Sequence, residues 1–164
     1  MKHSAGIVIK MGDKILMGHP GGSKWYGSYS IPKGLIDPGE TQWQGAMRET
    51  EEEIGIKIKK SQVTSGPYTY MYPANKYGKK DLTFYIVEID DIKEIGLKKE
   101  VIDKSFFKPN SEGIVEIDWA GFITFKEARK RASRPMQKLL DMLDAIYKSN
   151  ESFELKNYQN FNDI

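Results

Sequence analysis

The chain has 164 residues, of which 39% are hydrophobic, 29% charged and 12% aromatic, the size and composition of one globular domain with its own core. Lys and Arg number 25 against 23 Asp and Glu, a formal net charge of +2, too near balance for duplex nucleic acid to be bound by bulk electrostatics. Cysteine is absent, which excludes disulfides and thiolate metal sites, so any metal must be held by carboxylate, carbonyl or imidazole groups.

No apolar run approaches the ~18 residues needed to span a bilayer. The opening MKHSAGIVIKMGDK becomes charged too soon for a signal peptide, so the expected location is the cytoplasm, with no membrane partner. Residues 4–10 (SAGIVIK) and 14–19 (KILMGH) are apolar and β-branched, separated by the turn signal Met11-Gly12-Asp13, and predict a β-hairpin. HPGG at 19–22 then breaks regularity. It lacks both the GxxxxGK[ST] and the GxGxxG pattern, so it is no recognisable phosphate cradle. The aromatic, glycine-spaced KWYGSY that follows either walls a pocket, with Trp25 as the candidate substrate contact, or covers the open end of a sheet.

Asp37-Pro38-Gly39 is a turn, and Thr41 with Gln44 three residues later forms a capping box, so a helix begins near Thr41. Trp43, Met47, Thr50 and Ile54 give it a buried stripe and Gly55 its stop, while Gly45 inside it points to a close packing contact. Residues 62–72 and 82–89 predict a second hairpin, with Tyr68, Tyr70 and Tyr72 on one strand face. The charged stretch 90–113 is long enough to be functional or mobile. Residues 114–124 read as a further strand, and 125–133 and 135–148 as helices with Met136, Leu139, Leu140, Leu143 and Ile146 facing the core. The basic cluster Arg129, Lys130, Arg131, Arg134 reads most simply as a solvated face, the alternative being an RNA or phosphate patch. One domain over 1–148 and a polar, loosely ordered tail over 149–164 account for the chain.

The electrostatic anomaly lies in the first helix. Glu49, Glu51, Glu52 and Glu53 fall within five residues, and Glu49, Glu52 and Glu53 are related by three and four, so like charges crowd one face and oppose the helix. Either the face is solvated or a cation sits among the carboxylates. A hard cation such as magnesium suits oxygen donors of this kind together with substrate phosphates. Arg48 can pair with Glu52 at i, i+4 or with Glu49 beside it and fix a rotamer near the metal.

Residues 34–56 match G-x5-E-x7-R-E-U-x-E-E-x-G-U through Gly34, Glu40, Arg48, Glu49, Glu52, Glu53, Gly55 and Ile56. The match resembles the signature box of the Nudix hydrolases, with one departure, Thr50 where the family carries a bulky aliphatic. The resemblance extends from about residue 4 to 148. It implies the family's α/β/α sandwich, an α+β fold around a mixed sheet, and hydrolysis of a nucleoside diphosphate linked to another group, with Mg2+ as cofactor and Mn2+ as a substitute. It further implies metal ligation by Glu52 and Glu53 with the main-chain carbonyl of Gly34, a role for Glu49 in ligation or water activation, orientation of Glu49 by Arg48, and a lesser part for Glu40. A carboxylate outside the box often joins the site, and Glu116, with Glu112 second, stands where the family has it.

The flanking residues look most like the dinucleoside polyphosphate hydrolases and predicted pyrophosphohydrolases within the family. That likeness suggests base stacking on Tyr70 or Tyr72 and phosphate contacts from Lys76, Lys79 or Lys80, the alternative being an ordinary sheet face. Lys33, just before Gly34, is placed to reach a phosphate oxygen. Pro73 lies near where ADP-ribose-cleaving members carry a proline. The leading expectation is a dinucleoside polyphosphate substrate of the diadenosine tetraphosphate type. Nucleoside triphosphates, ADP-ribose and a 5′ RNA end are alternatives in the same chemistry, and a non-catalytic nucleotide-binding module is the alternative from another class. His3 and His19 lie in no triad and read as surface or loop residues.

Overall fold

A computed structural model of the protein describes residues 1–72, 76 and 78–162, with residues 150–162 described by their backbone alone. The first apolar segments form β1 (Lys2–Met11) and β2 (Lys14–Pro20), antiparallel across the turn at Gly12. A short strand the sequence did not announce, β3 (Lys33–Leu35), pairs with the first half of β1 through Ser4, Ala5 and Gly6. The helix α1 (Gln42–Ile54) follows, then the hairpin β4 (Ser65–Met71) and β5 (Lys80–Glu88), the last strand β6 (Ile117–Thr124), and the helices α2 (Phe125–Arg131) and α3 (Arg134–Asn162).

The strands make one mixed sheet in the order β4-β5-β1-β2-β6, with β3 beside β1. β1 runs parallel to β5 from Lys2–Lys80 to Lys10–Glu88, and the other pairings are antiparallel. Because side chains alternate across a strand, the sheet has two apolar faces. Val8, Ile15, Met17, Leu82, Phe84 and Ile86 pack against Met136, Leu139, Leu140 and Leu143 of α3. Ala5, Ile7, Ile9, Leu16, Val87 and Phe122 pack against Ala46 and Ile54 of α1. The expected α/β/α sandwich is the observed fold.

Several expectations are corrected in detail. In α1 the fully buried positions are Gly45, Ala46, Thr50 and Ile54, whereas Met47 is only half-buried. The helix turns its small residues to the sheet: a Cβ on Gly45 would sit 3.2 Å from Ile36, the close contact its glycine suggested. Trp43 lies edge-on against Tyr85. Thr50 fits the apolar position because its hydroxyl donates to the carbonyl of Ala46 at 2.8 Å. Within residues 90–113, the stretch 100–102 is tied to β6, with Ile102 N donating to Ala120 O and Phe122 N to Glu100 O, both at 2.9 Å. The strand expected over 114–124 begins at Ile117. Helical backbone runs from Arg134 to Asn162. Pro73 lies outside the described residues. Among those residues no helix is long and apolar enough to cross a membrane.

Candidate active site

The acidic helix is set by its two ends. Thr41 Oγ1 accepts from Gln44 N at 3.1 Å and Gln44 Oε1 from Thr41 N at 2.9 Å, closing the capping box. Gly55 ends the helix in the left-handed conformation at φ 72°, with its N–H on the carbonyl of Glu51. Between those caps Arg48 braces the acidic side. Its Nε donates to Glu40 Oε2 at 2.8 Å and its Nη2 to Glu40 Oε1 at 3.0 Å, a bidentate pair. Nη1 reaches Glu49 Oε1 at 2.9 Å and Glu52 Oε2 at 3.0 Å, and Nη2 also bonds the carbonyl of Leu35 at 3.0 Å. Both pairings expected of Arg48 occur, but its fork is given to Glu40. Glu40 is therefore the residue that fixes the arginine, an assignment the spacing of eight residues did not suggest.

Gly34 faces this cluster so closely that a Cβ there would lie 2.2–2.4 Å from the Glu49 carboxylate. The β3 backbone and the helix meet with no room for a side chain, which places the Gly34 peptide beside Glu49. Glu53 is the most buried of the acids. Its carboxyl is pushed up to about 8 by burial first and by the charge of Glu49 second, and Lys33 N lies 3.4 Å from its Oε2. Burial likewise raises Glu49, against the opposing pull of Arg48. Glu52 is 60% exposed at the outer edge. Glu116 lines a small cleft with Glu52 and Glu53, and Glu112 does not.

These carboxylates, with Glu49 held against a bare glycine backbone and Glu49 and Glu53 both raised by burial, fit a hard divalent cation in donor type and charge. The fit is of chemistry and not of a ready-made cage: among the described residues no three acidic or imidazole side chains converge on one point. Glu52 is drawn toward Arg48, and Glu49 is shared with it.

Beside the acids lies a cavity of about 680 Å3 whose lining contains Lys33, Lys80, Tyr70, Tyr72, Arg134 and Lys138 and no carboxylate. Tyr70 and Tyr72 stand edge-on at 5.2 Å, and the ammonium groups of Lys33 and Lys80 lie 6.0 and 5.4 Å from the Tyr72 ring. The Tyr72 hydroxyl is buried without a hydrogen-bond partner among the described residues, and burial pushes it up to about 12. Burial and then the like charge of Lys80 lower the Lys33 ammonium. Four of the five proposed substrate contacts thus come together. Trp25 does not line this cavity: it is 46% exposed and packs near His19, Tyr29 and Trp119, with the Arg131 guanidinium 5.2 Å from its ring. Arg134 and Lys138 join the lining unannounced, although two basic residues four apart on a helix were legible as one patch. His19 is corrected from a surface residue to a buried one on β2. Its Nδ1 lies 2.5 Å from Asp118 Oδ1 and its Nε2 3.0 Å from the carbonyl of Lys24, so it fastens the aromatic loop to β6.

The chain resembles known proteins in sequence and in fold. An RNA pyrophosphohydrolase of Erythrobacter litoralis is 43% identical over 60 residues, 35% of this chain and 37% of that protein. An asymmetrical bis(5′-nucleosyl)-tetraphosphatase of Caenorhabditis elegans is 29% identical over 72 residues, 44% of this chain and 52% of that protein. The chain therefore spans about half or less of the length of these curated relatives. The crystal structure of a C. elegans Ap4A hydrolase superimposes with a TM-score of 0.58 at 25% identity, covering 90% of this chain and 98% of the other. The NUDIX domain pattern matches residues 1–142, from β1 into α3 and across the whole acidic helix, and on that match the chain belongs to the NUDIX domain family.

Proposed function

We propose that this protein hydrolyses a pyrophosphate bond in a nucleoside diphosphate linked to another group, with a dinucleoside polyphosphate of the diadenosine tetraphosphate type as its substrate and Mg2+, or Mn2+ in its place, as cofactor. The reading is carried by Lys33. This buried cation stands where the acidic cluster meets the basic cavity, within electrostatic reach of Glu49 and Glu53 on one side and Lys80 on the other. An elongated anion would relieve the mutual repulsion of Lys33 and Lys80, and a divalent cation that of Glu49 and Glu53.

Nudix hydrolases generally use divalent metals, and here the Gly34 carbonyl, Glu49, Glu52 and Glu53 are the groups that would hold one. Bound there, such an ion would supply acidification of an attacking water and neutralisation of phosphate charge. Arg48 keeps Glu49 and Glu52 in place while itself fixed by Glu40. Glu116, which lines the small cleft with Glu52 and Glu53, is the candidate to accept the proton of the attacking water. Lys33 and Lys80 hold phosphate oxygens, and Tyr70 and Tyr72 offer apolar ring surface to a nucleobase, with the Tyr72 hydroxyl left to bond it. Trp25 is placed to meet substrate only beyond the cavity. The nucleotide chemistry and the cysteine-free chain are consistent with the cytoplasm.

The test is a panel of diadenosine polyphosphates, ADP-ribose, nucleoside triphosphates and 5′-triphosphorylated RNA with Mg2+ or Mn2+, with products identified. Highest kcat/KM on a dinucleoside polyphosphate is expected. Highest kcat/KM on the RNA would favour the activity named for the Erythrobacter relative, and turnover of nothing on the panel would sink the catalytic reading.

A further inference from the structure

The basic cluster that the sequence offers as one patch is divided by the fold into two kinds of residue. Arg129 is engaged by Asp141 at 2.9 Å and by Asp144. Arg131 pairs with Glu127 at 2.8 Å, lies over the rings of Trp25 and Tyr29, and its carbonyl accepts the N–H groups of Gly27, Ser28 and Tyr29, each at 3.0 Å. These two arginines are occupied in joining α2 to α3 and to the aromatic loop. Arg134 and Lys138 are different: both are exposed, neither makes an ion pair among the described residues, and both line the basic cavity.

Their spacing sharpens the contrast. Arg134 and Lys138 are i and i+4 in the first turns of α3, where like charges repel and weaken a helix. Asp141 and Asp144 lie further along the same helix, but their carboxylates are turned to Arg129. The cavity wall built by Ser133, Arg134, Pro135 and Lys138 therefore offers two cations with no ion pair among the described residues to the cavity that also receives Lys33 and Lys80. Lys33 stands against the carboxylates, whereas the cations of α3 belong to another wall of the same cavity.

We propose that Arg134 and Lys138 bind the phosphates of the substrate that lie beyond the reacting pair, so that their contribution grows with the number of phosphates in the chain. The proposal rests on the pyrophosphohydrolase reading above and deepens it by assigning specificity to α3. Each internal phosphate of such a chain carries one negative charge, and a guanidinium matches it with a two-pronged contact while an ammonium meets it as a point charge.

The experiment compares the full chain with R134Q/K138Q and with the solvent-facing control K130Q on diadenosine di-, tri-, tetra- and pentaphosphate and on ADP-ribose. Loss of kcat/KM in R134Q/K138Q should be less than about threefold on ADP-ribose and rise to about tenfold or more on the tetra- and pentaphosphate, mainly through KM. K130Q should match the unaltered chain, and thermal melting should show R134Q/K138Q as stable as it or slightly more so, because the repelling pair is gone. An equal loss on every substrate or no loss on any would overturn the proposal. Equilibrium binding of methylene-bridged diadenosine tri- and tetraphosphate analogues separates the two readings. A larger loss on the tetraphosphate analogue supports the assignment even if nothing is turned over, and an equal loss or none on the two analogues rejects it even if turnover is found.

Discussion

The acidic side of α1 and the basic cavity next to it are opposites in how they are held. In the first, Arg48 makes hydrogen bonds to three glutamates and a carbonyl, and the glycine backbone of β3 closes against Glu49. In the second, Lys33 and Lys80 face each other's charge, Arg134 and Lys138 repeat the situation on α3, and a tyrosine hydroxyl is buried without a partner among the described residues. One region is assembled from a single continuous stretch and is braced from within by Arg48. The other is assembled from β3, β4, β5 and α3 and leaves its polar groups for something that arrives from outside. The difference teaches that the part shared with the family is preorganised by local sequence, whereas the part that selects a substrate is open by construction.

The comparison breaks most severely if the acids are not the reactive part. Glu52→Gln with Glu53→Gln should lower kcat/KM on the best substrate by about a thousandfold or more in steady-state assays, and full activity in that variant would leave the acidic face a mere charged surface. A smaller effect is expected of Gly34→Ala, whose methyl would meet the Glu49 carboxylate at 2.2–2.4 Å. Because the far end of a flexible side chain can swing away, kcat should fall on the order of a hundredfold while the melting temperature barely moves. Arg48→Ala should lower stability by about 2 kcal/mol in urea unfolding, and Arg48→Lys should not restore it, since an ammonium cannot reproduce the fork to Glu40.

The pH dependence of the same region has a definite sign. Glu53 titrates near 8 in the fold, raised by burial and by Glu49, against 4.5 ordinarily. The native state keeps a proton that the unfolded chain has lost, so its contribution to stability is complete below pH 4.5 and disappears as pH rises to about 8. Urea unfolding without divalent cations should show that decline, of at most about 5 kcal/mol, with Glu53→Gln flattening it and added Mg2+ restoring stability at the alkaline end. The smallest effect belongs to the cavity. Tyr72→Phe removes a buried hydroxyl that has no partner among the described residues and should raise stability by about 1 kcal/mol or less in thermal melts while increasing KM. A destabilised variant would mean that the hydroxyl is already satisfied and that the two regions are less different than they look.

The sequence by itself determined the acidic helix: Thr41 with Gln44 starts it, Gly55 stops it, and the three-and-four spacing puts Arg48 within reach of Glu52. Those relations are local, set by the pitch of one helix and by short-range hydrogen bonds, and so survive without knowledge of the rest of the chain. The two hairpins and the apolar stripe of α3 were legible for the same reason. Only the tertiary structure decided what depends on distant segments meeting. It paired β1 with β5 in parallel, turned Ala46 in place of Met47 toward the sheet, buried His19 against Asp118, gave the fork of Arg48 to Glu40, and kept Trp25 out of the cavity while bringing Arg134 and Lys138 into it. Periodicity fixes which residues share a face of one element, but which face meets which is decided by how the whole core packs.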